Sequence, residues 1–303
     1  TKMNEKKFPQ TNLKSFFDNK IIINQTDVLI KLLKNEKLFG NYLELHKGWM
    51  SIHTQTNINE QIIDKGIFTK EELERYDIKN LCHKYLEGRD IHRYYIDEIE
   101  KYVNIDNIDA KTKNWHFVNK IILQRIVGQN KNKIFASYDN NNYVIFPNAN
   151  LVNIIDESID IRFFLSILNS TLISYFYNVY FGESNTNLTK LAFESIPIPD
   201  ISNTTKEPFI QKADLMLELN KKLQELKQNF HNELKLEKLT NKLQKFEELE
   251  FDDFIKEYTK SKKIKFADKL EERNFKNDWK ALFENDKKEI LEIQNQINQT
   301  DKG

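Results

Sequence analysis

The sequence predicts an α+β (mixed α/β) region followed by an all-α tail, and two observations carry that reading. All five prolines, and every one of the seven glycines except the terminal Gly303, lie at or before Pro208. Residues 209–302 therefore carry no backbone punctuation and read as helix. Before about residue 205, short runs of Ile, Phe, Tyr and Val alternate with Asn, Asp and Gly clusters, the pattern of mixed strands and helices. The expected domains are a mixed α/β domain at 12–205 and a helical tail at 206–303, a hairpin or small bundle.

Taken in order, a helix is expected over 27–35 and a strand over 42–46. A helix over 70–76 follows, opened by a Thr69-x-x-Glu72 capping box. Strands are expected at 120–127, 133–138 and 143–147, the last two joined across Asp139, Asn140, Asn141 and Asn142 as a hairpin. Helices over 160–168, preceded by Ser158, and 171–181 follow. In the tail, Met216, Leu219, Leu223, Leu226 and Phe230 form one helical stripe on a helix starting near Glu207. The phase slips after Phe230 and resumes at Leu236, Leu239, Leu243 and Phe246, which implies a break, a stutter or a new helix. Phe251, Phe254 and Tyr258 seed a short helix, residues 261–265 form a linker, and Phe275, Trp279, Leu282, Phe283, Ile290, Ile293 and Ile297 define a last amphipathic helix.

Lys plus Arg and Asp plus Glu number 46 each, so any nucleic-acid surface must come from local segregation of charge. The single cysteine, Cys82, excludes an internal disulfide and reads as a buried or half-buried thiol suited to a reducing cytoplasm. The six histidines show no metal spacing. No apolar run approaches the roughly 20 residues of a membrane helix, and the expectation is a soluble, cytoplasmic, mostly monomeric protein. Motifs for chemistry are missing too. There is no phosphate loop and no nucleophile elbow. There is no glycine-rich S-adenosylmethionine loop and no [N/D]PP[Y/F] tetrapeptide for a flipped base. Pro199-Asp200, the one Pro-Asp pair, lacks the acidic-x-lysine partner that a metal-dependent nuclease needs. The chain itself is not expected to be an enzyme or to hold a cofactor or metal.

Between Asp109 and Asp139 there is no acidic residue, while Lys111, Lys113, Lys120, Arg125, Lys131 and Lys133 supply six positive charges. Asn and Gln side chains are interleaved, among them Gln124, Gln129 and Asn130, with Trp115 and Phe117 available for packing. Lys and Arg neutralise phosphates, and Asn, Gln or Arg read adenine and guanine edges in the major groove. A solvated basic loop explains the same composition. A second segment, EGRDIHRYYI at 87–96, sets Arg89 and Arg93 beside a Gly88 turn. These arginines could grip phosphates or pair with Glu87 and Asp90.

Several segments, read in order, resemble the TaqI-like C-terminal specificity domain of Eco57I-class and type IIG restriction-modification methyltransferases. They are LELHKGWMS (43–51), KYLEGRDIHRYYI (84–96), NKIILQRIVG (119–128), FFLSILNSTLISYFYNVYFG (163–182), LTKLAFESIPIPDIS (188–202) and ADLMLELNKKLQELK (213–227). Gly88, Arg89, Asp90, Ile91 and Tyr94 match the GRDI..Y element, and Asn169 and Ser170 the LNS element. The LNS and PIP elements are expected to be structural, with Ser170 capping a helix. The resemblance implies a C-terminal module that recognises a specific double-stranded DNA sequence and presents the target to an upstream adenine methyltransferase domain of the same parent chain. S-adenosylmethionine, and Mg2+ where the parent also cleaves, would belong to those other domains. The alternatives are a helical assembly module or a specificity-subunit-like protein acting with a separate methyltransferase. Local charge, not the resemblance, selects Lys120, Arg125, Gln129, Asn130, Lys131 and Lys133, and Arg89, Arg93, Lys111, Lys113 and Gln124 complete the candidate DNA contacts.

Overall fold

The computed structural model describes residues 27–35, 37–50, 56–58, 61–63, 66–97, 99–106, 108–127, 134–181 and 187–302. The chain divides into two compact units, Thr1–Ala213 and Asp214–Gly303. The first is mixed α and β and the second is helical, the fold class that glycine and proline placement predicts.

The first unit opens with α1 (Asp27–Leu33), β1 (Leu43–Lys47) and the hairpin β2 (Thr56–Ile58) and β3 (Gln61–Ile63). Then come β4 (Ile67–Thr69), α2 (Lys70–Tyr76), β5 (Cys82–Leu86), a 3₁₀ turn at Gly88–Asp90, and a second hairpin, β6 (Ile91–His92) and β7 (Tyr95–Ile96). β8 (Lys101–Asn104), α3 (Ala110–His116), β9 (Lys120–Gln124), β10 (Ala136–Asp139), β11 (Val144–Ile145) and β12 (Ala149–Ile154) complete the strands. α4 (Ile161–Leu168), α5 (Thr171–Phe181) and α6 (Lys190–Glu194) follow. Two four-stranded sheets result, ordered β1-β12-β9-β10 and β11-β5-β8-β4. The first is antiparallel throughout, while β11 joins β5 in parallel.

The capping box that opens α2 is present, with Thr69 N donating to Glu72 Oε2 at 2.8 Å and Glu72 N to Thr69 Oγ1 at 3.3 Å. Helix α5 is capped as expected, Ile173 N donating to Ser170 Oγ at 3.2 Å. Helix α4 is capped by Asp160, which accepts from Arg162 N, and not by Ser158. The expected hairpin between 133–138 and 143–147 does not form, because β10 pairs with β9 in one sheet and β11 with β5 in the other. Asp139 redirects the chain between them: its carboxylate accepts from Asn141 N at 2.8 Å and Tyr143 N at 3.0 Å, and Asn142 takes a left-handed φ of 57°. Local side-chain acceptors of this kind replace a hairpin ladder with a crossing loop.

Strand β9 is central in its sheet and covered on both faces. Ile122 joins a core with Leu86, Ile91, Ile145 and Leu151, and Ile121 and Leu123 are equally buried. This burial takes Lys120 inside, 0% exposed, where its ammonium donates to His116 O and Asp139 Oδ2, each at 2.5 Å. An unpaired buried ammonium would be prohibitive, so the Asp139 carboxylate at the paired end of β10 is what permits the lysine there. Three histidines lie in the electrostatic reach of this pair or of one another, His46, His83 and His116, and burial holds each below the ordinary histidine range. His116 is pushed down to about 4, is fully buried, and shares its Nδ1 with Thr112 O at 2.9 Å. Cys82 is buried and its thiol is pushed up to about 12 by desolvation and the charge of Asp106, which makes it unreactive.

Helix α7 (Asn203–Leu234) begins within the first unit and continues into the second, where a 3₁₀ stretch at Leu243–Glu248, α8 (Phe251–Lys262) and α9 (Lys269–Lys302) follow. The phase slip after Phe230 thus marks a true end, fixed by Tyr258 Oη and Lys262 Nζ donating to Leu234 O at 3.2 and 2.9 Å. Helix α7 starts at Asn203, earlier than Glu207, and carries Pro208 inside it, where the ring nitrogen cannot supply the i→i−4 N–H. Helix α8 runs on to Lys262 through the first residues of the expected linker. The core is aromatic: Phe230 stacks on Phe246 at 3.7 Å, Phe254 on Phe283 at 4.7 Å, and Trp279 meets Tyr258 edge-on at 4.8 Å. Lys227 ion-pairs with the buried Glu247 beside this core.

A histidine whose folded-state pKa is depressed contributes stability that is full above its unfolded value of 6.5 and is lost as pH falls through the folded value. For His116, falling from 6.5 to about 4, that loss amounts to about 3 kcal/mol. Urea unfolding between pH 7 and pH 4 is therefore expected to show steep acid destabilisation. His116→Phe is expected to flatten that dependence, whereas an unchanged slope would contradict the assignment.

Candidate functional site

The two sheets of the first unit are joined by three residues, Phe146, Pro147 and Asn148, between β11 and β12. Backbone crowds around this crossing from three sides. Gly48, at the end of β1, lies so close that a Cβ there would stand 2.1 Å from Phe146 O and 2.5 Å from Ile145 O. A Cβ on Gly88 would stand 2.6 Å from Asn148 O. No side chain fits at either position, so close approach, not turn geometry, requires glycine. The crossing is also hydrogen-bonded: Phe146 N donates to Leu86 O at 2.9 Å, Trp49 N to Ile145 O at 2.7 Å and Arg125 N to Asn148 O at 3.2 Å.

The Gly88–Asp90 turn that leaves β5 is held on this crossing. Gly88 N donates to Asn148 Oδ1 at 2.8 Å. Asp90 turns back to accept from Glu87 N at 2.7 Å, and Gln124 Nε2 donates to Ile91 O at 2.6 Å. Gly88 and Asp90 are buried, and burial raises the Asp90 carboxyl above its ordinary range. Arg89 between them is the exception, with 69% of its side chain exposed. Its guanidinium lies 2.7 Å from Glu87 Oε2 and 3.8 Å from Asp90 Oδ1. So exposed a pairing is worth at most about 1 kcal/mol and is readily exchanged for another anion. Arg125, half-buried, donates from Nη1 to Pro147 O at 3.3 Å, which brings it to the other side of the same crossing.

The next hairpin closes the sheet edge. Tyr94, at a left-handed φ of 60°, donates its N–H to Ala136 O at 2.9 Å. Asn169, 2% exposed, accepts from Ala136 N at 3.1 Å and donates to Ala136 O at 2.8 Å. Arg93 Nη2 donates to Asn169 O at 2.6 Å. The GRDI..Y and LNS segments thus meet on the open edge of β10 and satisfy its backbone.

The candidate contacts separate accordingly. Arg89 and Arg125 flank the crossing. Lys111 and Lys113 are exposed on α3, toward the other end of β9; the Lys111 ammonium sits 5.2 Å from the Trp115 ring centre, and Trp115 stacks on His46 at 3.8 Å. Lys120 must be removed from the set, because it is fully buried in its pair with Asp139. The acid-free run is thus not one continuous positive surface: the carboxylate that ends the run neutralises a lysine within it. Gln124 and Arg93, both half-buried, each commit a donor to a backbone carbonyl, Gln124 to Ile91 O and Arg93 to Asn169 O, as Arg125 does to Pro147 O. Gln129, Asn130, Lys131 and Lys133 lie outside the described residues. Asn148 and Asn169 escaped the charge-based selection; the Pro147-Asn148 pair after a strand is the one sequence signal that marks the former as a turn.

Among the described residues no group of three or more His, Cys, Asp or Glu is placed to hold a metal ion, and no helix is long and apolar enough to cross a membrane. In the helical unit a trough of about 530 Å³ between α7 and α9 is lined by Leu215, Leu219 and Ile293 with charges of both signs, Lys222 lying 3.0 Å from Glu289. Mixed charge of this kind does not select an anionic ligand.

Residues 83–198 match the family of the TaqI-like C-terminal specificity domain. Residues 202–303 match a second family, a domain of unknown function, DUF8810. No curated protein matches the chain. A solved structure of the type IIL restriction-modification enzyme MmeI in complex with DNA is similar at 11% identity and a TM-score of 0.42, over 62% of this chain and 29% of that one. The chain thus aligns with under a third of that protein's length.

Replacing Asn169 with alanine leaves the Ala136 N–H buried without its partner, while the Ala136 C=O keeps the Tyr94 N–H. Unsatisfied groups of this kind cost about 1–3 kcal/mol each. Asn169→Ala is expected to lower the urea unfolding free energy by about 1–3 kcal/mol on that basis; a loss under about 0.5 kcal/mol would show that the edge is satisfied in another way.

Proposed function

We propose, from the premise that residues 83–198 are a TaqI-like C-terminal specificity domain, that this chain recognises a particular double-stranded DNA sequence and carries out no chemistry on it. That family match is the observation that carries the reading. The geometry lends it a physical route. Arg89 is an exposed guanidinium on a backbone held from several sides, so little backbone entropy is lost when it meets a phosphate or the O6/N7 edge of a guanine. Arg125 lies across the same crossing, and Lys111 and Lys113 supply further charge on α3. Phosphate contacts set orientation, and one or two base-edge contacts supply discrimination.

The finer reading is that the recognised duplex is presented to an adenine methyltransferase domain working with this one, which supplies the S-adenosylmethionine site. The protein acts as a monomer in this reading, and its helical unit serves as a brace for whichever domain accompanies it. No methyl transfer to DNA is expected from the chain alone, which incubation with labelled S-adenosylmethionine would check.

Selection of the 303-residue chain on a randomised duplex library, followed by fluorescence anisotropy on the enriched duplex, tests the central part. A defined sequence should be enriched, and log affinity should fall linearly with log salt by about 0.9 per phosphate neutralised. Lys113→Gln should weaken all duplexes alike and reduce the salt slope by about 1 if that lysine meets a phosphate. The absence of both enrichment and salt dependence would be incompatible with the proposal.

A further inference from the structure

Three groups of contacts meet at Asn148, and none follows from its lack of charge. Its side-chain Oδ1 accepts from Gly88 N at 2.8 Å, and its backbone carbonyl accepts from Arg125 N at 3.2 Å. The same carbonyl stands where a Cβ on Gly88 would collide with it, at 2.6 Å. Asn148 therefore ties the residue just before Arg89 to the amide of Arg125, across the junction of two sheets. Resting on the DNA-reading function above, we infer that Asn148 is a positioning residue for recognition. It sets the relative placement of the Arg89 and Arg125 backbones and thereby controls discrimination between sequences, without itself touching DNA.

The two arginines come from separate strand ends, one after β5 and one after β9, in different sheets. Base-edge hydrogen bonds weaken steeply with misalignment, whereas the attraction of a guanidinium to a phosphate row tolerates displacement. Loosening the Gly88–Asn148 bond should therefore erode selectivity while leaving the ionic part of binding in place. The half-buried site tolerates a smaller polar side chain, so loss of this bond can be separated from loss of the fold.

The test uses the full chain, the duplex most enriched from the randomised library and a scrambled duplex of equal length. In Asn148→Ser the hydroxyl is too short to reach Gly88 N. The ratio of affinities for the two duplexes is expected to fall about tenfold, the cost of one impaired base contact, with the salt slope unchanged. Asn148→Asp retains an acceptor for Gly88 N and should preserve the ratio, even where its added charge weakens both duplexes together. In an Arg89→Gln background, Asn148→Ser should change the ratio by less than about twofold, because the contact it positions is already gone. If the wild type discriminates and Asn148→Ser discriminates equally, the positioning role is wrong and the DNA reading stands. Equal weakening toward both duplexes together with a lowered melting temperature means a purely structural residue and also overturns the inference. A wild type without sequence preference overturns the reading and this role with it.

Discussion

The first unit depends on one constraint, the passage of three residues, Phe146 to Asn148, from one sheet to the next through space that admits no side chain on either flank. Gly48 and Gly88 are glycine because carbonyl oxygens of the crossing occupy the places of their Cβ atoms. The surrounding chain compensates with hydrogen bonds from Leu86, Trp49, Gly88 and Arg125 to or from the crossing. An over-determined backbone of this kind fixes the point from which an exposed side chain such as that of Arg89 projects.

A second consequence is a division of the positive charges. A run without acids looks like a surface when read along the chain, but β9 passes through the middle of a sheet and carries Lys120 into the core. Asp139 neutralises it there and, through its remaining acceptor capacity, turns the chain away from β10 toward the other sheet. One carboxylate both shelters a buried cation and prevents a hairpin. Breaking such a pair from one side is costly, whereas replacing both partners need not be, so its presence argues for specification of register more than for stability.

Much of the fold was legible because it follows from local rules. The capping box at Thr69, the Ser170 cap, helix α5, the end of α7 after Phe230 and the final helix each leave a signature within a few residues. What was not legible depends on long-range partners. Strands β5, β8 and β12 show no clean alternation of buried and exposed residues, and β12, between β1 and β9, is buried at four consecutive positions. The expected hairpin failed because β11 finds its partner nearly 60 residues upstream. At the site, charge selected Arg125, which the structure brings to one crossing with Arg89, and Lys120, which it buries. It passed over Asn148 and Asn169, neutral side chains whose importance lies in backbone groups 33 to 60 residues away.

The central claim is that duplex DNA meets the protein at this crossing. Hydrogen–deuterium exchange of the chain, with and without the duplex enriched by selection, tests it most directly. Slowed exchange is predicted for peptides spanning 86–92, 124–127 and 146–149, with the aromatic core of the helical unit unchanged. Slowed exchange confined to the helices beyond Asp214, with these three segments unaffected, would contradict it.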